Sequence, residues 1–175
     1  ANNDCHRNGP TTPATVVYIA LDSLHQQDYY QLSLADGFNV PVEVEPLNHP
    51  NNNIGSNNGS YNAIGGHCIP AGCKADLNQV CPPELAVKSK VGGQESVVVG
   101  CRSPCQAFST DQYCCTGAHR PEAKCNSTQW PTDYSKLFHQ SCPDAKAYPR
   151  DTVAQPKYCE ANAVRLNVNF CLKKH

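Results

Sequence analysis

Apolar and polar positions divide this chain into three kinds of stretch. In the first, apolar residues alternate with polar ones or run together. Phe38, Val40, Val42 and Val44 alternate with Asn39, Pro41, Glu43 and Glu45, the period of a half-buried strand over residues 38–44. Val164, Leu166, Val168 and Phe170 alternate in the same way and predict a strand over residues 164–170. Residues 15–21 (TVVYIAL) form a β-branched apolar run, read as a buried strand, and residues 29–34 predict another. Asp36-Gly37 separates two of these strands and is a turn signal. Pro41 has no N–H, which marks its strand as an edge or a bulge.

The second kind of stretch has little to bury. Residues 47–66 (LNHPNNNIGSNNGSYNAIGG) are Asn or Gly at eleven of twenty positions, which predicts a long exposed loop. The third kind, residues 68–159, carries ten of the twelve cysteines and little periodicity. Within it, residues 96–100 predict a short strand. Residues 132–141 predict a short helix with Thr132 as N-cap, Asp133 in the first turn, and Tyr134, Leu137 and Phe138 on one face. The remainder reads as loops held by cross-links, each worth roughly 2–4 kcal/mol. The expected architecture is all-β. Residues 1–67 and 160–175 form the core, and residues 68–159 largely form a stapled subdomain.

Composition narrows the setting. At 175 residues the chain is long enough for one sizeable domain, and its net charge of −1 with no Lys/Arg run argues against nucleic acid as a partner. No apolar stretch is long enough for a transmembrane helix. The absence of Met, even at residue 1, fits a processed chain. Twelve cysteines imply disulfides and an oxidising compartment. Zinc is the rival reading, since Cys68, Cys73 and seven histidines supply donors, but no paired CxxC or HxxxH array accompanies them. No metal and no cofactor are expected. Asn58-Gly59-Ser60 and Asn126-Ser127-Thr128 are N-glycosylation sequons, in line with secretion.

Several stretches together carry a family resemblance: PATVVYIAL, YYQLSLADGFNVP, CKADLNQVCPPEL, YCCTG, PTDYSKLFHQSCPDA and the terminal NFC. They resemble the plant thaumatin-like proteins of pathogenesis-related group 5, from about Cys5 to Cys171. The resemblance implies a flattened antiparallel β-sandwich with a disulfide-rich subdomain of loops and a short helix. It also implies the pairs Cys68–Cys159, Cys73–Cys142, Cys81–Cys101, Cys105–Cys114 and Cys115–Cys125. In the family the partners of Cys5 and Cys171 lie in an upstream stretch absent from this sequence. Three readings stand open: a separate N-terminal fragment held through Cys5 and Cys171, a fragment missing from this sequence, or a short form in which these cysteines pair with each other or with a second protomer. A sandwich without those strands exposes unpaired backbone and an apolar face. A partner fragment, a dimer or a local rearrangement is therefore expected.

Family members carry an acidic cleft of one Arg, one Glu and three Asp, associated with β-1,3-glucan binding and in some members with weak hydrolysis. By this resemblance the Glu position is Tyr18 and the first Asp position Gln31. Asp36 and Asp144 retain carboxylates, and the Arg lies in the absent stretch. Hydrolysis of a glycoside usually needs two carboxyl groups with separated roles, and Tyr18 and Gln31 remove charges that would tune Asp36 and Asp144. Each residue also has a plainer reading. Asp36 and Asp144 are turn residues capping local N–H groups, and Tyr18 is a strand aromatic in the core. A neutral sugar site at Tyr18 and Gln31 is the other reading. His67 and His139 are read as lone surface histidines, and Lys173-Lys174-His175 as a solvated tail.

The functional expectation is a secreted defence protein of thaumatin-like type that binds fungal wall glucan or a membrane target without catalysis. The alternatives are a weak endo-β-1,3-glucanase using Asp36 and Asp144, a protein-binding inhibitor of a microbial hydrolase, and a repurposed small-molecule cleft. Little follows Cys171, so the apoplast is expected rather than the vacuole.

Overall fold

A computed structural model describes residues 11–23, 26–48, 68–90, 96–161 and 164–172. Cys5, Asn58, His67, the expected loop at 47–66 beyond Asn48, and Lys173-Lys174-His175 lie outside the described residues.

Two sheets carry the strand patterns of the sequence. In the first, β1 (Val16–Ser23) pairs antiparallel with β2 (Gln27–Ser33). The other edge of β2 is shared by β8 (Lys157–Glu160), antiparallel, and β7 (Ala145–Lys146), parallel. In the second sheet β3 (Val42–Asn48) is central, between β4 (Ala71–Cys73) and β9 (Val164–Phe170). Tyr30 and Leu32 of β2, Leu34, Val42 and Val44 of β3, and Ala71 and Cys73 of β4 are buried in one cluster, so the two sheets share a core. Burying each such aliphatic side chain contributes roughly 1.5–3 kcal/mol.

Several boundaries differ from the sequence reading. The strand over 38–44 starts only at Val42. Phe38 instead makes an isolated bridge, with its N–H and C=O bonded to Cys101 at 2.7 and 2.8 Å. Pro41 therefore precedes the strand rather than interrupting it, and Pro46 is the proline inside. Pro46 is buried and stands opposite Leu166 of β9, and among the described residues β4 pairs with β3 only at Val42–Val44. The short strand of the third stretch is β6 (Val97–Cys101), and its partner β5 (Ala86–Ser89) has no sequence signal of its own. Strands β4 and β7, and all of β8 but Glu160, lie within residues 68–159 yet complete the two sheets, so the two segments interleave.

Among its described residues the stapled region contains α1 (Pro104–Phe108), α2 (Asp111–Cys114), four single 3₁₀ turns and α3 (Tyr134–Ser141). Ser103 and Gln106 form a capping box at α1. At α3 the N-cap is Asp133, not Thr132: its carboxylate accepts the Lys136 N–H at 3.3 Å. A carboxylate there also suits the positive end of the helix dipole. Five disulfides close, Cys68–Cys159, Cys73–Cys142, Cys81–Cys101, Cys105–Cys114 and Cys115–Cys125. Cys171 is exposed and unpaired among the described residues.

Among the described strands, β1 and β9 end their sheets. Ile19 faces the core side in register with Tyr30, and Phe170 in register with Val42, yet both are exposed, Phe170 to 62 %. Leu21, two residues beyond Ile19, is also exposed.

Candidate functional site

The register of β1 on β2 sets Tyr18 directly opposite Gln31. Period-two alternation puts Tyr29 on the same face as Gln31, and Tyr29 is in turn opposite Tyr158 of β8. Three tyrosines from three strands therefore gather around one amide. Tyr29 and Tyr158 meet edge to face with ring centroids 5.6 Å apart, a favourable aromatic geometry. The Tyr29 hydroxyl donates to Gln31 Oε1 at 2.9 Å, and Gln31 Nε2 donates to the Ala154 carbonyl at 3.1 Å. Gln31 is thus 5 % exposed and locked, whereas Tyr18 is 51 % and Tyr158 37 % exposed. Burial, and then the nearby Tyr158 and Tyr18, push the Tyr29 hydroxyl above the ordinary phenol range. Glu160, opposite Gln27 and two residues from Tyr158, shares this face.

Asp144 stands beside this face. It precedes Ala145, which pairs with Leu32 in the parallel ladder, so Asp144 is next to Gln31 in the adjoining strand. Its Oδ1 lies 3.3 Å from Lys157 Nζ. Lys157 sits opposite Tyr30, at the point where β8 gives way to β7 along β2. Asp36 is placed differently. It occupies the turn over residues 34–37, closed by a 2.8 Å bond from the Gly37 N–H to the Leu34 carbonyl. Its own carbonyl accepts the Ala14 N–H at 2.8 Å. Gly37 is required there: φ is +83°, and a Cβ would lie 2.5 Å from Pro13 Cβ and 2.7 Å from the Cys101 carbonyl oxygen. The structure therefore brings Tyr18, Gln31 and Asp144 into one row across three strands and leaves Asp36 in a turn. Asp36 and Asp144 share no hydrogen bond or ion pair.

Another acid was missed by the sequence reading. Asp151 is completely buried, and His139 Nε2 lies 2.9 Å from its Oδ2. That carboxylate also accepts the N–H groups of Ala147 at 2.7 Å and Val153 at 2.9 Å. Burial alone would raise the pKa of Asp151. The His139 contact and the two amides outweigh it and hold the group below the usual carboxylate range. His139 is accordingly not a lone surface histidine: it leaves its helix inward to pair with Asp151, its side chain 18 % exposed. Tyr29 could have been found from its spacing to Gln31. Tyr158, Ala154 and Asp151 could not, because they reach their partners only through strand pairing and a loop far along the chain.

Among the described residues no group of three or more His, Cys, Asp or Glu could hold a metal ion, and no helix is long and apolar enough to cross a membrane.

The Thaumatin family model matches residues 1–172. The chain belongs to the thaumatin family. It is 37 % identical over 167 residues to a thaumatin-like protein 1 of Prunus persica, covering 95 % of this chain and 58 % of that protein. A thaumatin-like protein of Arabidopsis thaliana is 38 % identical over 168 residues, covering 95 % and 58 %. A Prunus avium protein named glucan endo-1,3-beta-glucosidase is 39 % identical over 147 residues, covering 84 % and 51 %. The chain thus spans just over half the length of these curated relatives. For this thaumatin-family chain, the sheet-rich fold and the five disulfides agree with membership. The tyrosine face occupies the two positions at which the resemblance calls for carboxylates.

Proposed function

We propose that this chain is the glycan-binding part of a secreted plant defence protein, and that it holds fungal-wall β-glucan without cleaving it. The observation that carries the reading is the face on which Tyr18, Tyr29 and Tyr158 surround the fixed amide of Gln31. A β-linked glucose presents a flat array of C–H bonds and a rim of hydroxyls. Half-exposed phenol rings offer apolar area to the first and hydrogen-bonding tips to the second. Secretion is supported by the disulfide content, which an oxidising compartment maintains.

Hydrolysis is the competing reading, favoured by the name of the Prunus avium relative and by the two retained carboxylates. Against it, Asp144 is ion-paired with the Lys157 ammonium and Asp36 serves the turn over residues 34–37. The test is co-sedimentation with insoluble linear β-1,3-glucan, with reducing sugar measured in the supernatant. Tyr18→Ala and Tyr158→Ala should each weaken retention about tenfold, equivalent to about 1.4 kcal/mol, with no sugar released. Retention indifferent to both changes, or sugar release abolished by Asp144→Asn, overturns the reading.

A second proposal concerns partners. We infer that Cys171 and the exposed apolar residues Ile19, Leu21 and Phe170 contact further polypeptide, either an N-terminal fragment or a second protomer. Non-reducing against reducing electrophoresis of the native protein, with mass analysis, decides it: a single chain of unchanged mass and monomeric size in both conditions refutes it.

A further inference from the structure

We propose that Asn126 carries an N-linked glycan whose first sugars rest in the hollow beside it. The sequon Asn126-Ser127-Thr128 supplies the required types, with no proline in the middle. Asn126 and Thr128 are both exposed, while Ser127 between them is buried. The geometry separates the two ends of the Asn126 amide. Oδ1 is occupied, accepting the Thr128 N–H at 3.0 Å and the Thr128 hydroxyl at 2.9 Å, and so caps a 3₁₀ turn. Nδ2 makes no such bond. A sugar attached at Nδ2 therefore leaves the cap intact, which removes the usual conflict between a modified side chain and the turn it holds. The transfer is balanced by a lipid-linked oligosaccharide diphosphate as donor. The C1–O bond to the diphosphate breaks, a bond from C1 to Nδ2 forms, and the Nδ2 proton leaves with the diphosphate.

The surroundings supply the seat. Asn126 lines a hollow of about 530 Å³ together with Glu122, Tyr148, Arg150, Thr152 and Val153, a size typical of small-ligand sites. Tyr148 is buried and kept neutral: burial raises its pKa most, and its bond to Ser127 only partly opposes this. Val153, which lines the hollow, is 69 % exposed and offers apolar surface to a ligand. A pyranose ring would rest against Val153 and Tyr148 while its hydroxyls meet Arg150 and Thr152. The glycan thus shields the loop that carries Asp151.

The experiment uses the full chain, secreted from a eukaryotic host, in an Asn58→Gln background so that one sequon remains. Peptide mass mapping should find the segment containing Asn126 carrying sugar. The added mass should be lost on enzymatic deglycosylation, absent in Asn126→Gln and retained in Thr128→Ser. Trypsin should cut after Arg150 more slowly in the glycosylated protein than in the same protein deglycosylated while folded. Asn126 found unmodified in the otherwise wild-type secreted chain overturns the site. Equal cleavage with and without sugar overturns the seating in the hollow. Because occupancy is read on secreted chain changed only at Asn58, failure of the Asn126 or Thr128 variants to fold does not cloud the result.

Discussion

The β2–β3 sandwich and the stapled segment from Ser103 to Cys142 keep their shape by different means. In the sandwich, strands of seven or eight residues pair along their length and bury Tyr30, Leu32, Val42 and Val44 completely. In the stapled segment no helix exceeds eight residues, too short to hold by propagation alone. Its Tyr113, Trp130, Tyr134 and Phe138 join the same buried cluster as the sandwich, and disulfides and a chain of aromatic contacts add what short elements do not supply. Phe108 lies 5.3 Å from Tyr113 and 5.6 Å from Tyr134, Tyr113 lies 4.9 Å from Trp130, and Trp130 lies 5.0 Å from Tyr148. The difference teaches that one chain can divide its stability between solvent-driven burial and covalent closure, and that the two should fail under different stresses.

The cross-links themselves give the largest test. Cys68–Cys159 closes a separation of 91 residues and ties the segment before β4 to β8, whereas Cys105–Cys114 closes 9. Loop-closure entropy predicts that replacing the first pair by alanine costs about 4.6 kcal/mol and the second about 2.7 kcal/mol, read by urea unfolding. Equal losses would mean that local packing, not closure, is what the bridges contribute. Next in size, Leu32→Ala should cost about 2–5 kcal/mol. It should lower hydrogen-exchange protection across both sheets while sparing the amides of α1 and α2. A uniform loss would erase the distinction between the two regions.

Acid sharpens the comparison at their junction. The pKa of Asp151 is depressed in the folded state, so its contribution is fully present above its unfolded pKa near 3.9 and is lost as pH falls through the lower folded value. Asp151→Asn should cost about 1–3 kcal/mol at pH 7 and flatten the acid limb of stability measured by denaturant titration. An unchanged acid limb removes Asp151 from the account. The smallest effect is expected at the sheet edges. In the chain freed of the proposed covering polypeptide, Phe170→Ser and Ile19→Thr should shift stability by less than about 0.5 kcal/mol, because both side chains are then in water. The same changes should cost more in the native assembly, and equal small losses in both would show that nothing covers these residues.

The candidate site was legible in part. Tyr18 and Gln31 were recognisable as neutral residues at positions where the family resemblance asks for acids, and the register of β1 on β2 makes them direct neighbours. Tyr29 belonged to the same face by simple alternation. Nothing local announced Tyr158, whose partner Tyr29 is set opposite by the pairing of β2 with β8. The turn at Asp36-Gly37 was readable from its residue types, but the contacts of Gly37 with Pro13 and Cys101 were not.

The sequence by itself determined the β character of its alternating runs, the short helix near residue 134 and, through the count of cysteines, a cross-linked region poor in regular structure. These follow from side-chain period, local capping and composition, all short-range properties of the chain. Only the tertiary structure decided which strands share a sheet, that Asp144 pairs with Lys157, and that Asp151 is buried against His139. Those outcomes depend on where remote segments meet, and a pairing across more than a hundred residues leaves no local pattern, because its energy is gained only after the loop between has closed.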